Sequence, residues 1–325
     1  ADATSLGDTA PMKRRQTVRT ILALCLVLAP LCLLLASPVA RACEVRPGAA
    51  VALDGSTPNL IVHAAINGTS VPFILDTGAE RTVLDAATVQ RLGLARDEWV
   101  ATTMRGIGGD ERQRNVLPQS LVLGGMALRP RFMAPALSLP VGHMQFGSIG
   151  GEPIAGLLGA DLLAGFDLSL DGPRHRLTLY QVQGCAGRFL PWTRPYDAIP
   201  TLQPVRDTLL VPVRVDDRLL LAQIDSGSSN SFVLAPGMAK LGLTEAMLDG
   251  DPRVTTRGLG PDSLTVHIHR FRTMAVGPET ITAPELWVGP AHSLRIVDML
   301  LGADWMRPRL VWLSYATTQV FVARP

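Results

Sequence analysis

Two short stretches of this 325-residue chain place a carboxylate beside a small hydroxyl residue and a glycine: Asp76-Thr77-Gly78 and Asp225-Ser226-Gly227. Alone, either reads as a surface turn. Each, however, follows an apolar run ending in "FIL" or "AQI", so its aspartate stands at the end of a buried strand. A buried carboxylate costs several kcal/mol unless it is paired or hydrogen-bonded. If the two meet face to face, about 3 Å apart, they cannot both ionise, so one keeps a proton and the other serves as base. Such a pair can deprotonate a water for attack on an amide carbonyl while its proton goes to the developing oxyanion. That chemistry needs no metal, no cofactor and no covalent intermediate. Gly78 and Gly227 permit tight backbone geometry beside the carboxylates, and Thr77 and Ser226 offer hydroxyls that can cross-link the two turns.

Whether the two can meet depends on the elements that carry them. Sliding the chain by 149 residues aligns 60–94 with 209–243 without a gap and with eight identities, Asp76/Asp225 and Gly78/Gly227 among them. Further landmarks recur in the same order. "TTMRGIGGD" answers "TTRGLGPD", "LVLGG" answers "MAVGP", and "AGLLGADLL" answers "DMLLGADWM". The chain is a duplication. Each copy reads as strand, tight turn (Asn67-Gly68; Asp216-Asp217), strand and Asp turn. In the first copy a short helix over 85–92 then ends at Gly93. "FDLSLDGPRHRLTLY" and "RLVWLSYATTQVFV" read as closing hairpins. The expected organisation is a lobe over 43–182, a Pro-rich extended linker over 183–207 and a second lobe over 208–325, each lobe large enough for its own core.

The first 42 residues read differently. Lys13, Arg14, Arg15 and Arg19 precede an uncharged apolar run, and Ala40-Arg41-Ala42 supplies a small-residue cleavage site, the pattern of a secretory signal peptide starting at Met12 and cut after Ala42. The alternative is an uncleaved anchor helix, for which the run is short and contains Pro30. Without the leader the net charge is −1 rather than +2, so nothing argues for a nucleic acid or an acidic surface as partner. Membrane contact is expected only through an uncleaved leader. Cys43 and Cys185 then remain, either as one disulfide or as two free thiols.

At this point the motifs acquire a family. "ILDTGAERTVL" resembles the active-site segment of retropepsin-like aspartic proteases, and "QIDSGSSNSFV" is similar to the pepsin-like version. Leu157-Leu158-Gly159 and Leu300-Leu301-Gly302 match the family's second marker, and the whole resembles bacterial exported proteins with two fused retropepsin-like lobes. The resemblance implies a mainly all-β fold of two homologous β-barrel lobes about a pseudo-twofold axis, with Asp76 and Asp225 as catalytic residues at the junction. It implies interlocking hydroxyl contacts by Thr77 and Ser226, an extended peptide or protein substrate in the cleft, and glycine-rich flaps at Gly106-Ile107-Gly108-Gly109 and Gly258-Leu259-Gly260. The chain departs from the pepsin-like pattern in its short spacing between aspartates. It also has Arg105 and Arg257, and no Tyr, beside the flap glycines.

The expected activity is that of a periplasmic or secreted aspartic endopeptidase, monomeric because one chain supplies both aspartates. The alternative is a non-catalytic peptide-binding module that keeps the fold. Asp161 and Asp304 read as helix starts. His267 and His269 lie on one strand and read as a polar strand face rather than as a metal pair.

Overall fold

The computed structural model describes residues 42–130, 136–144, 146–205, 207–260, 262–291 and 296–324. The leader therefore lies outside the described residues, Ala42 excepted. Alternation of apolar residues sets the first hairpin. Ile61–Ile66 buries Ile61, Val62, Ala64 and Ile66, and Thr69–Leu75 is buried from Val71 onward. Asn67 and Gly68 between them both take positive φ, 48° and 86°, the two-residue turn that matches strand twist. Asp216 and Asp217 repeat that turn in the second copy, at 42° and 69°.

A central strand has both of its edges paired with neighbours. Thr69–Leu75 runs antiparallel to Ile61–Ile66 and parallel to Gly156–Leu158. Arg218–Ile224 sits in the same way between Thr208–Val215 and Met299–Leu301. Each Leu-Leu-Gly segment thus lies alongside the strand that ends in an aspartate. The Asp76 N–H donates to the Leu158 carbonyl at 2.9 Å, and the Asp225 N–H to that of Leu301 at 3.0 Å. The glycine closing each segment is dictated by space. A Cβ on Gly159 would lie 2.5 Å from the Arg81 carbonyl carbon, and one on Gly302 would lie 2.6 Å from that of Asn230.

Helix Ala86–Arg91 is capped by the Asp85 carboxylate, and its counterpart Ala235–Leu241 ends on Gly242 at φ 72°. Short helices Ala160–Leu163 and Ala303–Met306 follow the Leu-Leu-Gly segments, with Asp161 and Asp304 in their first turns. The flap hairpins differ in their attachment. Arg96–Gly106 and Gly109–Val116 form a two-stranded sheet of their own, whereas Arg253–Arg257 and Ser263–Arg270 continue into the second lobe's sheet through Glu285–Val288.

The closing hairpins of both copies join in one six-stranded sheet. Asp167–Asp171 pairs with Leu310–Ser314, and Glu44–Ala52 and Tyr196–Ile199 form the sheet's edges. The segment 183–207 therefore carries paired strands. Tyr196–Ile199 lies against Gln319–Ala323, and Leu202–Val205 against Thr208–Val215. Across this sheet the buried Asp167 accepts from Trp312 Nε1 at 2.9 Å and from the Ala316 N–H at 3.0 Å. The main apolar core contains Phe73 and Leu75 of one lobe together with Val211 and Ile224 of the other. Cys43 and Cys185 are joined as a disulfide, closing a span of 142 residues.

Candidate active site

Residues two apart on a strand face the same side. Phe73 and Leu75 point into the main core, so Ile74 and Asp76 face away from it. In register, Ile61, Ile74 and Leu157 form one row across the sheet beside Asp76, while Leu210, Gln223 and Leu300 form the matching row beside Asp225. The first row is apolar throughout. The second has an amide at its centre.

The two Asp turns interlock. The Thr77 N–H donates to Ser226 Oγ at 3.0 Å, and the Ser226 N–H donates to Thr77 Oγ1 at 3.1 Å. Each hydroxyl then donates onward across the junction, Thr77 to the Ile224 carbonyl at 3.0 Å and Ser226 to that of Leu75 at 2.6 Å. Both residues are buried, so none of these groups has water as an alternative. The four bonds fix the two turns against each other.

That clamp brings the carboxyls of Asp76 and Asp225 together across the junction, close enough for each to perturb the other. Asp76 Oδ1 accepts from the N–H groups of Gly78 (3.0 Å) and Ala79 (2.8 Å). Asp225 Oδ1 accepts from those of Gly227 (3.0 Å) and Ser228 (3.1 Å). Each glycine sits against the opposite carboxylate, and a Cβ on Gly78 would lie 2.5 Å from Asp225 Oδ1. On Gly227 it would lie 2.5 Å from Asp76 Oδ2. Burial pushes both carboxyls above the ordinary carboxylate range. Asp76 rises furthest because the Asp225 charge adds to its burial. The pair therefore favours one shared proton and titrates as a unit.

A second layer supports each turn. Thr82 Oγ1 donates to Asp161 Oδ1 at 2.8 Å and accepts from the Gly159 N–H at 3.0 Å. Ser231 repeats this with Asp304 (2.8 Å) and Gly302 (3.0 Å). Asp161 and Asp304 thus hold the strand after each Asp turn as well as standing at a helix start.

The flap residues meet one another. The Gly108 N–H donates to the Leu259 carbonyl at 2.9 Å, and the Asp262 N–H to the Gly108 carbonyl at 3.0 Å. Gly106 and Gly260 allow that approach, since a Cβ on either would strike the opposite tip. Gly109 turns the first hairpin at φ 98°, and a Cβ on Gly258 would touch Ile107. Ile107 packs on the second lobe's apolar cluster, which includes Leu210 and Leu300, the neighbours of Gln223. Leu259 bridges to Met144 of the first lobe. The tips cross, each resting on the other lobe.

Sequence reasoning missed Gln223, Asn59 and Met144. Gln223 Nε2 donates to the Gly78 carbonyl at 2.7 Å, and Asn59 Nδ2 to the Gly227 carbonyl at 3.2 Å. The cue for Gln223 was present, because it aligns with Ile74 at a position where the repeat is apolar. His267 and His269 each face a carboxylate of their own, Glu245 at 3.3 Å and Asp251 at 2.6 Å. Among the described residues no cluster of three or more metal-ligating groups occurs.

The aspartyl protease family model matches residues 62–162 and 211–305, one match per copy and together more than half of the chain. The chain belongs to the aspartyl protease family. Its two-lobed all-β architecture is of the aspartic protease type. An aspartic proteinase from Irpex lacteus shares 13% identity over 85% of this chain and 97% of that one, with a TM-score of 0.48. No curated protein matches the chain.

Proposed function

We propose that this aspartyl protease family member is an active endopeptidase and that Asp76 and Asp225 are its catalytic pair. The observation that carries the reading is the contact of two buried carboxyls, each held through Oδ1 by two N–H donors, with burial favouring one proton between them. In this reading Asp225 takes a proton from a water as the water's oxygen attacks the peptide carbonyl carbon. Asp76 gives its proton to the carbonyl oxygen, which leaves a neutral tetrahedral diol. Asp225 then passes its proton to the amide nitrogen as the C–N bond breaks. One diol hydroxyl returns a proton to Asp76, so the pair ends as it began.

The reading extends to an extended peptide or protein substrate entering under the crossed flap tips, to a single chain as the working unit, and to export. The disulfide supports an oxidising compartment, periplasmic or extracellular. The test is incubation of the disulfide-bonded chain with a peptide library at acid and neutral pH, with and without EDTA, followed by identification of new termini. New termini that persist in EDTA are expected. Peptide retention without new termini would instead identify a binding module, and loss of cleavage in EDTA would contradict the metal-independent mechanism.

A further inference from the structure

The peptide group between Gly78 and Ala79 is engaged at both ends. Its carbonyl accepts from Gln223 Nε2 at 2.7 Å, and its N–H donates to Asp76 Oδ1 at 2.8 Å. The group between Gly227 and Ser228 has the same arrangement. Its carbonyl accepts from Asn59 Nδ2 at 3.2 Å, and its N–H donates to Asp225 Oδ1 at 3.1 Å. In both cases the amide comes from the other lobe, 145 and 168 residues away in sequence. Gln223 is 2% exposed and stands between Leu210 and Leu300, where the first copy has Ile74. A buried amide in an apolar row destabilises the fold unless its hydrogen bonds are made.

Donation to a peptide carbonyl polarises the whole group and strengthens what its N–H gives onward, by roughly 10–30% per bond. We propose that Gln223 and Asn59 are positioning residues for the aspartate pair, each the outer end of an amide–peptide–carboxylate relay that crosses between the lobes. Each relay stabilises the anion of the opposite lobe's aspartate, and it is complete only when the lobes are in register. The relay to Asp76 is the shorter of the two. The titratable groups of the site are the two carboxyls themselves, and the buried Tyr315 phenol is raised by its burial and by the charges of Asp207, Asp76 and Asp167. The proposal rests on the catalytic reading of Asp76 and Asp225.

The experiment removes one relay at a time with shape-matched side chains, Gln223→Met and Asn59→Leu, in the disulfide-bonded chain. Two readouts are taken: the pH profile of kcat/KM, and the titration of the carboxyl carbons of Asp76 and Asp225 by NMR. Gln223→Met is expected to raise the last proton loss and so move the alkaline limb upward, by roughly half a pH unit. Asn59→Leu is expected to move the acid limb upward, by less, because its bonds are longer. Asn59 is only half-buried, so its variant keeps the test open if Gln223→Met fails to fold. Folded variants with unshifted limbs and unshifted carboxyl titrations would overturn the relay while leaving the protease reading intact. Shifted titrations in a chain that cuts no peptide would support the relay and remove the protease reading.

Discussion

At the scale of the residue, Asp76 is 8% exposed, and its burial together with the neighbouring Asp225 charge keeps it protonated well above the ordinary range. The sign of the linkage follows. A carboxyl whose folded value is raised contributes stability that is complete below its unfolded value, near 3.8, and is lost as pH rises through the folded value. Asp76→Asn keeps an oxygen for the Gly78 and Ala79 donors and cannot ionise. It is therefore expected to raise the denaturation midpoint at neutral pH and to lose that advantage in acid. An equal midpoint shift at both pH values would contradict the assignment. Gly78→Ala drives a methyl into the Asp225 carboxylate, and a stability loss of about 1–3 kcal/mol is expected by urea unfolding, together with loss of cleavage. Asp76, Asp225 and their hydroxyl neighbours were legible in the sequence because the duplication repeats them in register. The repeat marked Gln223 as a polar residue at an apolar position, but the partners of Gln223 and Asn59 were not legible, because an amide's partner across a lobe junction is set by tertiary placement, which no local pattern encodes.

At the scale of the element, the glycine-rich runs announced hairpins but not their contact. Gly108 and Leu259 lie in separate hairpins of separate lobes, and only the folded junction brings them within hydrogen-bond distance. The anchor is apolar, because Ile107 seats on the cluster around Leu210, Phe232 and Leu300. Ile107→Ala removes part of that burial, about 1–3 kcal/mol of tip docking. Faster hydrogen exchange at the Gly108 amide, by roughly tenfold or more, is the expected result. Unchanged exchange there would mean that the tips are held by their backbone bonds alone. The opening strand–turn–strand of each copy and the closing hairpins were readable from alternation and turn residues. The independence of the first flap was not, because which sheet edge a hairpin finds is set by tertiary placement rather than by its own turn residues.

At the scale of the whole molecule, the expected separation into lobes with their own cores gives way to a shared one. Leu168 pairs with Leu313, Asp167 ties to Trp312, and one core cluster runs from Ala49 to Val320. The closing hairpins were each visible as alternating runs. That they pair with one another depends on edges that sequence does not label. A single calorimetric transition is therefore expected for the two lobes, and two resolved transitions would contradict the shared core. The Cys43–Cys185 bond closes 142 residues, and its reduction is expected to lower stability by about 2–5 kcal/mol in urea unfolding.

The central claim is that two carboxyls, one from each copy, act as a single catalytic unit. Its most direct measurement is peptide cleavage by Asp76→Asn and Asp225→Asn, each compared with the parent chain across acid and neutral pH. Both variants are expected to fold and both to lose cleavage, by several orders of magnitude and to a similar extent, since neither carboxyl works without the other. Cleavage that survives undiminished in either variant would contradict the shared pair.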